Sequence, residues 1–169
     1  GWKCPREIGA GMLETGDTSG LPTGVRLTHR NVCSNARDWF ECMASQIDEG
    51  MTDVFWLPMS HIFGLGEAGI GDRLGWLSYM VEPREALDML AELKPQVFMS
   101  VPSVWEKVAI ATAAAPDPAA RFAELTGGRL HFCLSGGAGL QVAVKELFLE
   151  HAVLILAGYG PPECSPSLT

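Results

Sequence analysis

The sequence predicts an α/β fold in which a mainly parallel β-sheet is flanked by helices. Two observations predict it. Short apolar runs of strand length alternate along the chain with segments of helical periodicity, and such alternation is typical of right-handed βαβ units. The chain also has 169 residues, of which 47% are apolar and 19% charged, so it is long and apolar enough for one globular domain with a sizeable core.

Five short runs rich in apolar residues are the candidate strands of this sheet. They are Val54–Leu57, Trp76–Val81, Val97–Val101, Leu130–Leu134 and Val153–Leu156. Since helical segments alternate with these runs, we expect the strands to run mainly parallel to one another.

Four segments are candidate helices. They are Asn31–Ser45, Pro83–Leu93, Ser103–Ala114 and Leu140–His151. Thr28 can cap the first helix, because its hydroxyl can accept a hydrogen bond from a free amide of the first turn. Pro83 suits the first turn of the second helix, where a missing amide hydrogen breaks no helical hydrogen bond. Residues 113–118 are expected to form a loop between helices.

Charge and composition exclude several classes of function. The net charge is −8, with 20 acidic and 12 basic residues, which argues against a nucleic-acid partner. No apolar run approaches the ~20 residues of a membrane span, and residues 1–10 lack the apolar core of a signal peptide. The five cysteines are widely spaced, so neither a disulfide framework nor a zinc site is expected. We therefore expect a cytoplasmic protein without a transmembrane segment.

Loops rich in small residues follow several of the candidate strands. In open parallel sheets, ligands bind beyond the carboxyl ends of the strands, where residues 135–139 and 158–160 are placed here. Small residues allow backbone amides to approach a ligand closely. A further loop, residues 18–25, combines glycines with hydroxyl side chains that can donate to phosphate oxygens. Taken singly, each of these loops is equally compatible with an ordinary turn.

A glycine pattern in the middle of the chain allows a second interpretation. Gly64, Gly66 and Gly69 match the Gly-x-Gly-x-x-Gly fingerprint of dinucleotide-binding domains, and Glu82 ends the next candidate strand. A single match is weak evidence, and its spacing from the preceding strand is loose. We therefore favour a helix whose small residues pack closely on the sheet, and keep a dinucleotide-binding domain as an alternative.

Taken together and in order, five segments resemble the motifs of the fatty-acyl-CoA synthetases in the adenylate-forming (AMP-binding) superfamily, in particular long-chain fatty-acid–CoA ligases. They are residues 18–32, 55–64, 94–108, 134–138 and 158–166. The resemblance implies that residues 18–169 are part of the large N-terminal adenylation domain of such an enzyme. Residues 1–17 stay unassigned, and the small C-terminal domain of the family is absent from this chain.

The resemblance also implies a reaction. In the family, a carboxylate and ATP form an acyl-adenylate, and coenzyme A then displaces AMP to give a thioester. The implied cofactors are ATP or AMP, Mg²⁺ and coenzyme A, and the implied substrate is a fatty acid or another carboxylate. Because the family's sheets pack against regions that are absent here, we further expect exposed apolar surface, with self-association or peripheral membrane contact as its consequences.

Individual residues receive roles from the same resemblance. The catalytic candidates are His61, at the entrance to the acyl pocket, and Glu163, which is also the expected Mg²⁺ ligand. Tyr159 is expected to stack on adenine. The full set of implied nucleotide-binding residues is Thr18, Ser19, Gly20, Thr23, Gly136, Gly137, Ala138, Gly158, Tyr159 and Gly160.

Two positions depart from the family pattern. The family loop reads Thr-Ser-Gly-Thr-Thr-Gly-x-Pro-Lys-Gly, whereas this chain lacks the middle Thr-Thr-Gly and has Thr23 at the lysine position. Pro162 replaces the threonine before the motif glutamate, and has neither a hydroxyl nor an amide hydrogen. Losing one stabiliser of transition-state charge typically costs ~10²–10³ in kcat. We therefore expect a ligase core that is impaired or inactive by itself, or a non-catalytic remnant or interaction module.

Overall fold

The computed structural model describes residues 9–15 and 23–161. These residues form a two-stranded antiparallel sheet and a five-stranded sheet, together with six helices. The elements in chain order are β1 (Gly9–Thr15), β2 (Thr23–Thr28), α1 (His29–Met43), β3 (Thr52–Phe55), α2 (Ile62–Leu74), β4 (Leu77–Met80), α3 (Ala86–Leu93), β5 (Val97–Ser100), α4 (Pro102–Ala113), α5 (Pro118–Thr126), β6 (Phe132–Ser135), α6 (Val142–Glu150) and β7 (Leu154–Ala157).

The larger sheet has the strand order β4-β3-β5-β6-β7, and all of its strand pairs are parallel. Successive side chains point to opposite faces: Phe98 packs with α3 to α6, whereas Val97 and Met99 pack with α1 and α2. We call the side under α3 to α6 the aromatic face and the side under α1 and α2 the cavity face. Because helices cover both faces, the central strands β5 and β6 are buried throughout. The predicted α/β fold with a parallel sheet is confirmed.

Helix α1 begins where the sequence places its cap. The amide of Asn31 donates to Oγ1 of Thr28 over 3.2 Å, and the Thr28 amide donates to Oδ1 of Asn31 over 3.1 Å. This reciprocal pair is a capping box that satisfies two amides at the start of the helix. The predicted cap is confirmed, and the helix ends at Met43, two residues before the predicted end.

The β1–β2 hairpin was not predicted. Its strands pair antiparallel, from Gly9 opposite Thr28 to Thr15 opposite Thr23. Leu13 and Leu27 are buried together with Ile62 at the start of α2, so the hairpin packs against the helices of the cavity face. Glycines within β1 weaken the strand pattern in the sequence.

Helix α5 was also missing from the prediction. Its N-cap is Asp117, whose Oδ1 accepts a hydrogen bond of 3.0 Å from the Ala120 amide, and Pro118 follows in the first turn. The Asp-Pro pair is a helix start signal. The predicted loop lies between the end of α4 at Ala113 and the start of α5.

Strand β4 is the exposed edge of the large sheet. All four of its residues are exposed, including Leu77, Tyr79 and Met80. The neighbouring strand β3 is mostly buried. The expectation of exposed apolar surface is therefore met at this edge. In the described residues, every helix is either too short or too polar to cross a membrane.

Candidate functional site

A cavity of about 420 Å³ opens beyond the carboxyl ends of β6 and β7. Helix α1 and the N-terminus of α2 form its other walls. In the described part of the chain, seven of the residues that the sequence singled out line this cavity. They are His61, Gly136, Gly137, Ala138, Gly158, Tyr159 and Gly160.

Backbone hydrogen bonds fix the two glycine-containing loops at the rim of the sheet. The Gly136 amide donates to the Ser100 carbonyl over 3.1 Å, and the Gly158 amide donates to the Ser135 carbonyl over 2.8 Å. The backbone hydrogen bonding of the sheet therefore continues one residue past the ends of β6 and β7. A β-carbon on Gly136 would lie 2.9 Å from Cε1 of Phe63, so only glycine allows this approach. Gly137 has φ +85°, a left-handed conformation that glycine adopts without strain.

His61 lies at the N-cap of α2 and has a defined hydrogen-bonding role. Its Nδ1 accepts a hydrogen bond of 3.2 Å from the Phe63 amide. Because Nδ1 accepts, the neutral ring carries its proton on Nε2. The side chain is exposed at the cavity wall, so this Nε2–H can donate to a ligand oxygen. The partial positive charge of a helix N-terminus at the same wall favours an anionic group.

The cavity has one apolar wall and one open rim. Trp39 of α1 and Phe63 of α2 line it and pack against the buried residues of the cavity face. At the rim, Tyr159 is 70% exposed, between Gly158 and Gly160. Among the described lining residues none is Lys, Arg, Asp or Glu. The role of Trp39 was not predicted, because it depends on how α1 lies over the sheet.

Two carboxyl groups are buried between β3 and α2. Asp53 on β3 and Glu67 on α2 are each 1% exposed. Ser78 donates to Oδ2 of Asp53 over 3.4 Å, whereas Oδ1 of Asp53 and both Glu67 oxygens lack a hydrogen-bond partner among the described residues. Burial raises the pKa of Asp53 to about 7. Burial, with a contribution from the Asp53 charge, raises the pKa of Glu67 well above its ordinary range.

The glycines of the dinucleotide-like pattern lie inside α2. A β-carbon on Gly64 would lie 2.5 Å from the Pro58 carbonyl oxygen, so this glycine permits the helix to pack closely on the chain that leaves β3. In a dinucleotide fingerprint the first glycine belongs to the turn between strand and helix, whereas here the helix has already begun at Ile62. The favoured interpretation, a helix with small packing residues, agrees with this geometry.

The remaining candidates cannot be placed at the cavity. Thr18, Ser19, Gly20 and Glu163 lie outside the described residues, so their expected phosphate and Mg²⁺ contacts stay predictions. Thr23 begins β2, with its backbone opposite Thr15. In the described ranges no three His, Cys, Asp or Glu side chains form a metal site.

The model of the family described as AMP-binding enzyme matches residues 10–169 of this chain. The chain belongs to the AMP-binding enzyme family. The match begins before Thr18, so most of β1 is part of the family region even though residues 1–17 carry no motif of the family. The AMP-binding fold explains why loops far apart in sequence meet at one cavity.

Named relatives and solved structures agree with this assignment. The long-chain-fatty-acid–CoA ligase of Bacillus subtilis (strain 168) is 31% identical over 160 residues, which are 90% of this chain and 27% of that protein. The ligase of the same name from Yersinia pestis is 32% identical over 162 residues, covering 92% of this chain and 27% of its own. The inhibitor-bound N-terminal domain of FACL13 from Mycobacterium tuberculosis shares the fold, with a TM-score of 0.74 and 22% identity over 98% of this chain and 40% of that one.

The chain spans only part of the length of its relatives in the AMP-binding family. It spans about a quarter of the length of the two ligases, 27% in each case. The family match over residues 10–169 includes the residues that form the sheet, the cavity and the glycine-containing loops. The activity, substrates and partners of the whole relatives are therefore a matter of proposal for this chain.

Proposed function

We propose that this chain provides the acyl-adenylate-binding region of an AMP-forming fatty-acid–CoA ligase. The observation that carries the proposal is the cavity at the sheet's carboxyl end, where His61 meets the loops 136–138 and 158–160. The family and the names of the two ligases support a fatty acid as the substrate. When bound, ATP supplies the adenylyl group that activates the carboxylate, and coenzyme A accepts the acyl group.

The described residues fit such a ligand in three ways. Glycines at positions 137 and 158, where a β-carbon would meet no atom closer than 3.8 Å, leave space for a ligand to approach the backbone at the ends of β6 and β7. Tyr159 offers an exposed ring for stacking on adenine. His61 offers an Nε2–H beside the N-terminus of α2, where a phosphate or carboxylate oxygen is favoured.

Calorimetric titration with a non-hydrolysable fatty-acyl-adenylate analogue, with Mg²⁺ present, tests the proposal. We expect saturable binding by the wild-type chain, and a loss of about fivefold or more in Tyr159→Ala, because stacking on one aromatic ring is worth ~1–3 kcal/mol per base. Tyr79→Ala is the matched control, since Tyr79 is an exposed tyrosine on the edge strand β4 and does not line the cavity. A folded wild-type chain that binds no analogue would contradict the proposal.

We propose further that the shortened phosphate loop impairs the activation step. The chain has Thr23 in place of the family lysine and lacks the middle Thr-Thr-Gly. Both changes remove groups that stabilise phosphate charge, and the described cavity lining holds no basic side chain that replaces them. Inserting Thr-Thr-Gly and changing Thr23→Lys should then raise the affinity for ATP. Unchanged ATP affinity in a folded variant would favour the alternative, a non-catalytic remnant that keeps the sheet.

Mg²⁺ binding by Glu163 belongs to the same proposal. A carboxylate oxygen is the kind of ligand that Mg²⁺ prefers. Glu163→Gln should remove the dependence of analogue affinity on Mg²⁺ and leave the Mg²⁺-free affinity unchanged. Equal Mg²⁺ dependence in both proteins would exclude this residue as the ligand.

Self-association is proposed at strand β4. Its backbone edge is open, and its residues Leu77, Tyr79 and Met80 are exposed and uncharged, features that favour pairing with another chain. Leu77→Lys should shift the protein toward the monomer in size-exclusion chromatography with light scattering. A wild-type monomer at all concentrations would contradict this, and would also remove the basis for peripheral membrane contact through the same strand.

A further inference from the structure

Trp39 has a position in the cavity that no sequence motif indicates. It lies on α1, half-buried, and its ring carbons Cη2 and Cζ2 lie 3.9 Å from the point where Gly158 would carry a β-carbon. The indole therefore lies beside the loop that bears Tyr159. Helix α1 thus contributes a large apolar ring to a cavity whose other walls come from strand ends and from the N-terminus of α2.

The two ends of an acyl-adenylate require different walls. Tyr159 lies at the open rim, 70% exposed, where a nucleotide can remain partly hydrated. Trp39 and Phe63 also line the cavity, are less exposed, and pack against the buried cluster of the cavity face. Because burial of apolar surface favours contact between an acyl chain and such a wall, the acyl end is directed toward α1.

The space behind this wall is already filled. Met99, Phe132 and Leu134 are at most 4% exposed and belong to the cluster against which Trp39 packs. A cavity of about 420 Å³ is at the small end of the ~300–1,000 Å³ range of ligand sites. An acyl chain that extends from the cavity toward this cluster meets the Trp39 indole or the Phe63 ring.

We propose that Trp39 sets the length of acyl chain that this cavity accepts. The inference rests on the proposed function, because it takes an acyl-adenylate as the ligand, and it goes beyond that function by naming a specificity-determining residue. Trp39 limits the chain because its ring stands between the cavity and the packed interior. Short acyl groups fit beside the ring, and longer ones gain no further buried contact.

A chain-length series of acyl-adenylate analogues, from about four to about sixteen carbons, tests this by calorimetry on the full chain. Each newly buried methylene should raise affinity roughly fourfold. In the wild type, affinity should stop increasing at the acyl-chain length that reaches Trp39. In Trp39→Ala, affinity should continue to increase with longer acyl chains. Phe40→Ala is the matched control: Phe40 is the next residue of α1 and packs on the same cluster, but does not line the cavity. It should leave the wild-type limit unchanged.

The possible results separate this inference from the function on which it rests. If analogues bind and the limit falls at the same length in the wild type and in Trp39→Ala, the role of Trp39 is wrong while the proposed function stands. If folded wild-type protein binds no analogue of any length, the proposed function itself fails. Trp39→Leu, which keeps an apolar side chain at this position, gives the same comparison if circular dichroism shows that the alanine variant is unfolded.

Discussion

The two faces of the five-stranded sheet bury different kinds of groups. On the aromatic face, the rings of Phe98 and Trp105 pack edge to face, with their centroids 5.3 Å apart. The rings of Trp105 and Phe148 pack in the same way, with their centroids 5.7 Å apart. The cavity face buries two carboxyl groups, Asp53 and Glu67, and leaves the space of the cavity open. One face is thus filled by apolar side chains, whereas the other keeps polar groups and an unfilled volume.

This difference suggests that stability and ligand binding are divided between the faces. Edge-to-face aromatic pairs add ~0.5–1.5 kcal/mol beyond the area that they bury. A buried carboxyl group without a partner lowers stability unless it is neutral. A volume reserved for a ligand likewise gives up packing contacts. Substitutions on the aromatic face should therefore change stability alone, and those at the cavity should mainly change binding.

The largest effect is expected from Trp105→Ala. Trp105 is fully buried at the centre of the aromatic face, and truncation of such a ring typically costs ~3–5 kcal/mol in the free energy of unfolding. Urea unfolding measures the loss. Ile110→Ala on the same helix is the control: Ile110 is 71% exposed and its removal should cost under ~0.5 kcal/mol. Weaker analogue binding by folded Trp105→Ala would show that the faces are not independent.

A slightly smaller effect is expected from Asp53→Asn, and it should depend on pH. Burial raises the pKa of Asp53 from 3.8 to about 7, so the folded state holds a proton that the unfolded state has already released. Its contribution to stability is complete below pH 3.8 and is lost as the pH rises to about 7. The loss amounts to at most about 4 kcal/mol. Asp53→Asn should remove this decline, which unfolding measurements between about pH 4 and pH 8 will detect.

The control for this experiment is the same substitution at an exposed aspartate. Asp72 lies on α2 and is exposed, so Asp72→Asn should keep the wild-type slope of stability against pH. Glu67 adds a decline of its own, since its pKa is raised in the same direction. An Asp53→Asn protein with an unchanged slope would mean that burial does not raise the pKa of Asp53 in the folded state.

The contrast between the faces also explains what could be predicted from the sequence. Strands β5 and β6 were found because both of their faces are covered and their residues are uniformly buried. The loops at 136–138 and 158–160 were found because they follow strands and match an ordered set of motifs. Their meeting at one cavity followed from the parallel direction of β6 and β7.

Other features could not be predicted because they arise from tertiary packing. A charged residue such as Glu67 is normally exposed on a helix, and nothing local indicates that it turns toward Asp53. Trp39 has no motif, and its place at the cavity depends on the angle at which α1 crosses the sheet. The β1–β2 hairpin is stabilised by contacts of Leu13 and Leu27 with the start of α2, which no local pattern shows.

The smallest effect on stability, and the sharpest test of the division between faces, is expected from His61. His61→Ala removes the N-cap of α2, where the ring accepts from the Phe63 amide, and should lower the free energy of unfolding by ~1 kcal/mol. It should also weaken analogue binding, because the Nε2–H donor is lost. His61→Asn separates the two effects: asparagine is a good N-cap, so stability should return while binding stays weak. If His61→Asn restored both, the histidine would act on binding only by holding α2 in place, and the cavity face would share its role in stability with the aromatic face.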